Sequence, residues 1–239
     1  MKSFDQDVAN NYDSDIRSRI PGYDHIQELI SAVLDVEVPS PARMLVIGAG
    51  TGEEIRRTAR RHPNWTIHGV EPSAEMNEIA KEKIRLLKFE NQIHWHETKI
   101  EDFQASEEFD VALAVFVSHF IPDNGAKKAF FQKIADQLHP GAPLILVDFM
   151  KQDDLVGEKL IACNYFWAKS KGLELDKLHQ LPTRLRNLFH PISEERLEEL
   201  LGEVGLNLEG RFMQSLGFCG YVARKFELTV KNHNASLQS

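Results

Sequence analysis

The chain has 239 residues, 42% hydrophobic and 27% charged, with a formal net charge of −8, which fits one α/β unit with a full core and is short for two. The acidic balance disfavours a nucleic-acid partner, and no apolar run approaches the ~20 residues of a membrane span. The two cysteines, Cys163 and Cys219, stand apart from any Cys/His cluster, which argues against a disulfide framework or structural zinc.

The first residues, Met1–Asp7, lack the basic start and apolar stretch of a signal peptide. The chain is therefore expected in the cytoplasm, acting on a small molecule and without a membrane partner. Nucleic acid is the less favoured partner, and a homodimer stays open. Residues 3–35 carry two helical patterns broken at Pro21-Gly22, predicting a helical cap over 1–40. From Arg43 the texture changes to short apolar runs alternating with amphipathic stretches. The runs are 44–47, 66–70, 93–95, 109–115 and 143–147; the helical stretches are 53–62, 74–88 and 125–138. Such alternation predicts βαβ units and a doubly wound, mostly parallel Rossmann-like sheet with helices on both faces. Residues 151–192 read as a helical insert. Ser193 with Glu195 opens a further helix, and 206–214 with 218–225 predict an antiparallel hairpin at the sheet edge. Residues 1–225 are thus expected to form one domain, followed by a polar tail over 226–239.

The sequence Met44-Leu45-Val46-Ile47-Gly48-Ala49-Gly50-Thr51-Gly52 is a buried strand running into a glycine turn and then a helix. Glycines there let the backbone turn sharply and approach a ligand closely. The next strand ends at Glu71, 19 residues beyond Gly52, where a carboxylate can accept both hydroxyls of a ribose. A dinucleotide fingerprint would need a different glycine spacing, and Glu53 and Glu54 open the helix where a pyrophosphate would sit. No Lys-Ser or Lys-Thr follows the turn, which excludes a Walker phosphate loop. S-adenosylmethionine (SAM) has no phosphate and carries a positive sulfonium and ammonium, so it suits an acidic helix start.

On these residues the chain resembles the class I SAM-dependent methyltransferases. Gly48–Gly52 is similar to their first motif, and Gly69-Val70-Glu71-Pro72-Ser73 to the segment bearing the ribose acid. Phe109-Asp110-Val111 through Phe120 resembles the β4 motif, and Leu138-His139-Pro140-Gly141-Ala142 the turn before β5. The leader, Phe4-Asp5…Tyr12-Asp13…Ile20-Pro21-Gly22-Tyr23, resembles the amino-terminal segment of carboxy-SAM synthase, which makes a carboxylated SAM for tRNA modification. That resemblance implies a cofactor contact at Tyr23. Two positions depart from the pattern. Val46 stands where methyltransferases place an acid, and Lys99 where they place the adenine-reading Asp. The arginine key to carboxy-SAM synthesis aligns near Pro182, with Arg184 and Arg186 out of register.

The expected site has Gly48, Ala49, Gly50 and Gly52 along the methionine arm, Glu71 and Pro72 at the ribose, and Lys99 with Ile100 at the adenine edge. Tyr23, Val115 and Phe116 line the pocket. His119, just past the fourth strand, is the candidate base or acceptor contact. No metal is expected. Tyr12 and Tyr23 are read either as a lid over the methionine end or as plain packing. Arg17 and Arg19 are read as solvated residues before anion ligands, and Arg56, Arg57, Arg60 and Arg61 as a solvated helix face before a nucleic-acid stripe. Tyr165-Phe166-Trp167 is expected to pack the insert. The function expected is SAM-dependent methyl transfer to a small or medium-sized organic acceptor. The alternatives are a carboxy-SAM-synthase-like or tRNA-modifying enzyme, and a non-catalytic SAM-binding protein.

Overall fold

Seven strands form one sheet in the order β3-β2-β1-β4-β5-β7-β6. The structure is a computed structural model and describes residues 6–85, 87 and 92–226, with side chains from Tyr12 onward. The polar tail after Phe226 and the leader residues Phe4 and Asp5 fall outside what it describes.

The central strands are β1 (Arg43–Ile47), β4 (Val111–Val115) and β5 (Pro143–Phe149). They are buried almost end to end, as strands covered on both faces must be. β2 (Thr66–Val70) and β3 (Ile93–His96) extend the parallel part. Beyond β5 the direction reverses, where β7 (Phe218–Lys225) pairs antiparallel with β5 and with the edge strand β6 (Leu206–Ser215).

Alternation along β1 sorts the core into two layers. Met44 and Val46 face one cluster, together with α1 (Gln6–Arg19), α2 (Tyr23–Glu37), α3 (Glu53–Arg61), α4 (Ala74–Arg85), α6 (Asp154–Ser170) and α7 (Leu175–Asn187). Leu45 and Ile47 face the other, with α5 (Ala126–Ala135) and α8 (Glu194–Glu203). Ser193 caps α8 by accepting a hydrogen bond from the Arg196 N–H at 3.2 Å, as a serine ahead of an acidic first turn does.

Some boundaries differ from the sequence expectation. Phe109 makes only an isolated bridge to Leu138, so β4 starts at Val111. α5 spans Ala126–Ala135, because Gly125 takes a left-handed φ of 99° ahead of it and the chain turns after Ala135. α4 is described to Arg85, and Lys88 lies outside the described residues. Among the described residues, α1 and α2 form the amino-terminal helical cap, α6 and α7 lie within residues 151–192, and β6 with β7 makes the antiparallel edge hairpin.

The strand order changes direction between β1 and β4. The carboxyl ends of those two strands therefore open a crevice, the place where open α/β sheets take ligands.

Candidate active site

The glycine turn leaves β1 at this crevice. Gly48, Gly50 and Gly52 all have positive φ, at 64°, 51° and 78°, a region costly for other residues. At Gly48 space matters as well, since a Cβ would lie 2.6 Å from Val117 Cγ2. Gly52 has a different task. Its missing Cβ would come within 2.9 Å of the Ala80 Cβ, so it lets α3 and α4 pack closely behind the turn.

Four N–H groups of the turn are already bonded within the protein. Those of Gly48 and Ala49 donate to the Val70 carbonyl at 2.8 and 3.2 Å, and Gly52 donates to Ala49 at 2.8 Å. Gly50 donates to Glu71 Oε2 at 3.0 Å. A phosphate would need such donors free. With them bonded, the turn is built for a ligand that does not demand anion-binding N–H groups.

Glu71 ends β2 beside this turn. It is 8% exposed, and its second oxygen accepts from the Ser73 N–H at 2.9 Å. Burial raises its pKa against the lowering effect of those two backbone N–H groups, and no cation of the described residues offsets it. A buried carboxylate with no ion partner keeps capacity for further hydrogen-bond donors. Pro72 and Lys99 are exposed, whereas Ile100 is buried at the start of a short 3-10 turn.

Phe116 closes the other side. It follows β4 with a φ of 60°, a conformation that costs a bulky residue about 1–3 kcal/mol. Its N–H bonds the Val147 carbonyl at 2.6 Å, and its ring stacks on Tyr23 at 6.0 Å and meets Phe218 edge-on at 5.7 Å. Val115 and Phe116 are each 8% exposed. Nothing in the sequence signalled the strained backbone at Phe116.

A cavity of about 330 Å³ continues from here, lined by residues of α1, α7, the rim after β4 and the start of β7, among them Tyr12, Arg19, His119, Lys177, Arg184 and Phe189. His119 is 2% exposed. Its Nδ1 lies 2.7 Å from Asp148 Oδ1, and its ring is held between Phe120 and Phe189 at 4.4 and 4.1 Å. The Phe149 N–H also approaches Nδ1, at the longer distance of 3.3 Å. The shorter contact assigns the proton to Nδ1 as donor to Asp148, leaving Nε2 as the basic nitrogen. Asp148 further accepts from the Ser118 hydroxyl and, at 3.2 Å, from the His119 N–H. Lys127, buried on α5, donates to the Ser118 carbonyl at 2.6 Å, and burial lowers its pKa. Asp148 and Lys127 together fix the turn that carries His119.

The cavity's charges lean positive. Arg19 pairs with Asp15 at 3.2 Å, and Lys177 shares the same carboxylate at 2.8 Å. Arg184 is half-buried without an ion pair among the described residues; burial and the neighbouring Arg19 lower its pKa. The sequence reading had set Arg19 at the solvated surface. It lines the cavity instead, because the turn after Pro21 brings the end of α1 back over the sheet edge. Arg17, by contrast, pairs with Asp24 at 3.2 Å and lies over the Tyr23 ring at 5.3 Å.

The α1 helix is fastened over the crevice. Asp13 accepts from the Thr51 hydroxyl at 2.6 Å and pairs with Lys83 of α4, which also donates to the Thr51 carbonyl at 3.2 Å. Tyr12 faces both Glu54 and Glu71, and burial with those charges raises its pKa well above the ordinary phenol value. The two acids opening α3 differ. Glu53 is paired by Arg56 and Arg57 at 2.8 and 2.7 Å, whereas Glu54 accepts from Gln27 at 2.5 Å and faces Tyr12 and Tyr23.

Arg57 also pairs with Asp24 and Arg61 with Asp35, so the arginine face of α3 is largely internally neutralised. In the insert, Tyr165 packs against the core, Phe166 is 65% exposed, and Trp167 lies under Lys171 at 4.5 Å. None of the three lines the cavity.

Residues 45–144 match a family described as a methyltransferase domain. The chain is 26% identical over 229 residues to the carboxy-S-adenosyl-L-methionine synthase of Shigella boydii, covering 94% of this chain and 92% of the relative. The enzyme of the same name from Aeromonas hydrophila is 27% identical over 227 residues, covering 93% and 90%. Among solved structures, a Nostoc punctiforme protein described as an O-methyltransferase superposes with a TM-score of 0.63 at 19% identity. That match covers 84% of this chain, which spans only 56% of its length. The N-methyltransferase NodS of Bradyrhizobium japonicum, solved with S-adenosylhomocysteine, gives a TM-score of 0.58 at 17% identity, covering 86% and 88%. Residues 45–144 are therefore similar to a methyltransferase domain, the chain has the fold of these solved methyltransferases, and it resembles carboxy-SAM synthase along nearly its whole length.

Proposed function

We propose that the protein binds SAM across the carboxyl edge of β1, β2 and β4 and transfers its methyl group to a small anionic acceptor. The observation that carries this reading is Glu71, a buried carboxylate with no ion partner among the described residues, beside a glycine turn with four N–H groups already bonded. Such a site favours a positively charged nucleoside over a phosphate ester. Gly48 and Ala49 would follow the methionine arm, Glu71 the ribose hydroxyls and Ile100 the adenine edge, with Tyr23 and Phe116 as walls. Gly52 supports the turn from behind, and the exposed Pro72 and Lys99 border the site.

SAM supplies an electrophilic methyl on a sulfonium. The protein's part is chiefly positional, since holding nucleophile and methyl in line can contribute up to about 7–11 kcal/mol. His119 is suited to take the acceptor's proton at Nε2, with Asp148 orienting the ring as a carboxylate orients a catalytic histidine. Arg184, Arg19 and Lys177, set against the single carboxylate Asp15, favour an acceptor bearing negative charge.

A second reading, chemistry akin to carboxy-SAM synthesis, is favoured by the end-to-end likeness to those enzymes and by Arg184 at the cavity. Mass spectrometry of the nucleoside released from freshly purified protein separates the two. SAM or its demethylated product supports the first reading, and a carboxylated SAM the second. Calorimetry in which neither SAM nor its demethylated product binds would overturn both.

A further inference from the structure

We infer that Glu54 receives the α-ammonium of the bound methionine arm, doing the work of the carboxylate that this chain lacks at Val46. The inference rests on the proposed SAM site.

Val46 is 2% exposed, packed in the sheet core as an apolar side chain, and leaves the end of β1 without a charge for a cation. Glu54 lies two residues past the glycine turn, in the first turn of α3. Its neighbour Glu53 is neutralised by two arginines of its own helix. Glu54 makes no ion pair among the described residues, and of the cations only Arg57 lowers its pKa, as the smallest of the influences on it. Its one side-chain partner is the amide of Gln27, itself 1% exposed.

The surroundings of Glu54 are those of the crevice. Tyr12 lines the cavity and faces Glu54 and Glu71 together. Tyr23 faces Glu54 and stacks on Phe116. The charges of both carboxylates, Glu71 at the end of β2 and Glu54 just past the glycine turn, raise the pKa of this one cavity tyrosine. Leaving an ionised carboxylate unpaired in such surroundings is costly, and an incoming ammonium relieves the cost. The same charge explains why a chain with an acidic helix start can hold a zwitterionic arm. The arm's cation meets Glu54 while its carboxylate extends away from the already neutralised Glu53.

The test compares ligands that differ only in this arm. S-adenosylhomocysteine, its deaminated analogue lacking the α-ammonium, and 5′-methylthioadenosine are titrated calorimetrically into wild-type protein and into Glu54→Gln. In the wild type, removing the ammonium from the ligand weakens binding about tenfold or more, as loss of a charge-assisted hydrogen bond does. Glu54→Gln weakens S-adenosylhomocysteine by a similar factor and leaves the two ligands without the ammonium within about twofold. Equal losses for all three ligands, or no loss for any, would overturn the assignment while leaving the nucleoside site intact. Wild-type protein that binds none of them would overturn the site itself. The comparison on wild type alone decides the matter if Glu54→Gln does not fold, because equal affinity for S-adenosylhomocysteine and its deaminated analogue contradicts the inference.

Discussion

The two ends of the crevice are built in opposite ways. The nucleoside end comes from short, consecutive pieces of chain: β1, its glycine turn, and Glu71 at the end of β2. Its carboxylates Glu54 and Glu71 make no ion pair among the described residues. The acceptor end joins pieces far apart in sequence, Tyr12 and Arg19 from α1, His119 after β4, and Lys177 and Arg184 from α7. There the cations outnumber the carboxylates. In the proposed function one end takes the positive ligand and the other the negative one, and the reactive atoms would meet between them at Phe116.

The division can be broken first at His119. His119→Ala should slow group transfer by about 10²–10⁴ while SAM affinity stays within about threefold, read from single-turnover rates and calorimetry. A loss carried by SAM binding instead would make the His119–Asp148 pair a structural element of the rim.

Glu71→Ala tests the other end, with an expected loss of at least about tenfold in SAM affinity. Unchanged binding by calorimetry would remove the ribose assignment. Arg184→Met sharpens the contrast, raising the KM for an anionic acceptor about tenfold without moving SAM affinity. Should it weaken SAM and spare the acceptor, the cationic end serves the cofactor.

Acidity should separate the two ends as well. Burial raises the pKa values of Glu54 and Glu71 above the ordinary 4.5, and the ammonium at Glu54 and the ribose hydroxyls at Glu71 bind best to the ionised carboxylates. SAM affinity should therefore fall severalfold from about pH 8 to about pH 5, with proton release on binding at the acidic end. Calorimetry in buffers of different ionisation enthalpy reads both. For the free protein the sign is opposite: a carboxyl whose pKa is raised by folding costs stability as pH rises through it. Saturating SAM should thus raise the melting temperature more at neutral pH than near pH 5, and a pH-independent shift would count against the carboxylates.

The smallest effect concerns the fastening of α1. Asp13→Asn loosens the contacts to Thr51 and Lys83 and should cost about 1 kcal/mol locally. Faster amide exchange confined to α1 would show it, while unchanged exchange would place the anchor elsewhere.

The same contrast explains what the sequence disclosed. Gly48, Gly50 and Glu71 are legible because a turn with positive φ and a strand-end carboxylate are local requirements, written within two dozen residues. The mostly parallel sheet and the edge hairpin follow from periodicity and turn residues for the same reason. Arg19 was misread as surface because its placement depends on how α1 folds back after Pro21, a tertiary event. Arg184 and Lys177 reach the cavity only through the packing of α7, and no local pattern marks them. Glu53 and Glu54 look alike in sequence, yet the arginines of α3 neutralise one and leave the other facing two tyrosines.

A crystal structure of the protein saturated with S-adenosylhomocysteine tests the central claim most directly. The account predicts the ribose hydroxyls on Glu71, the amino-acid arm along Gly48–Gly50, and the sulfur facing the cavity that His119 lines. A crevice that stays empty at saturation, or a nucleoside bound away from the end of β2, would contradict it.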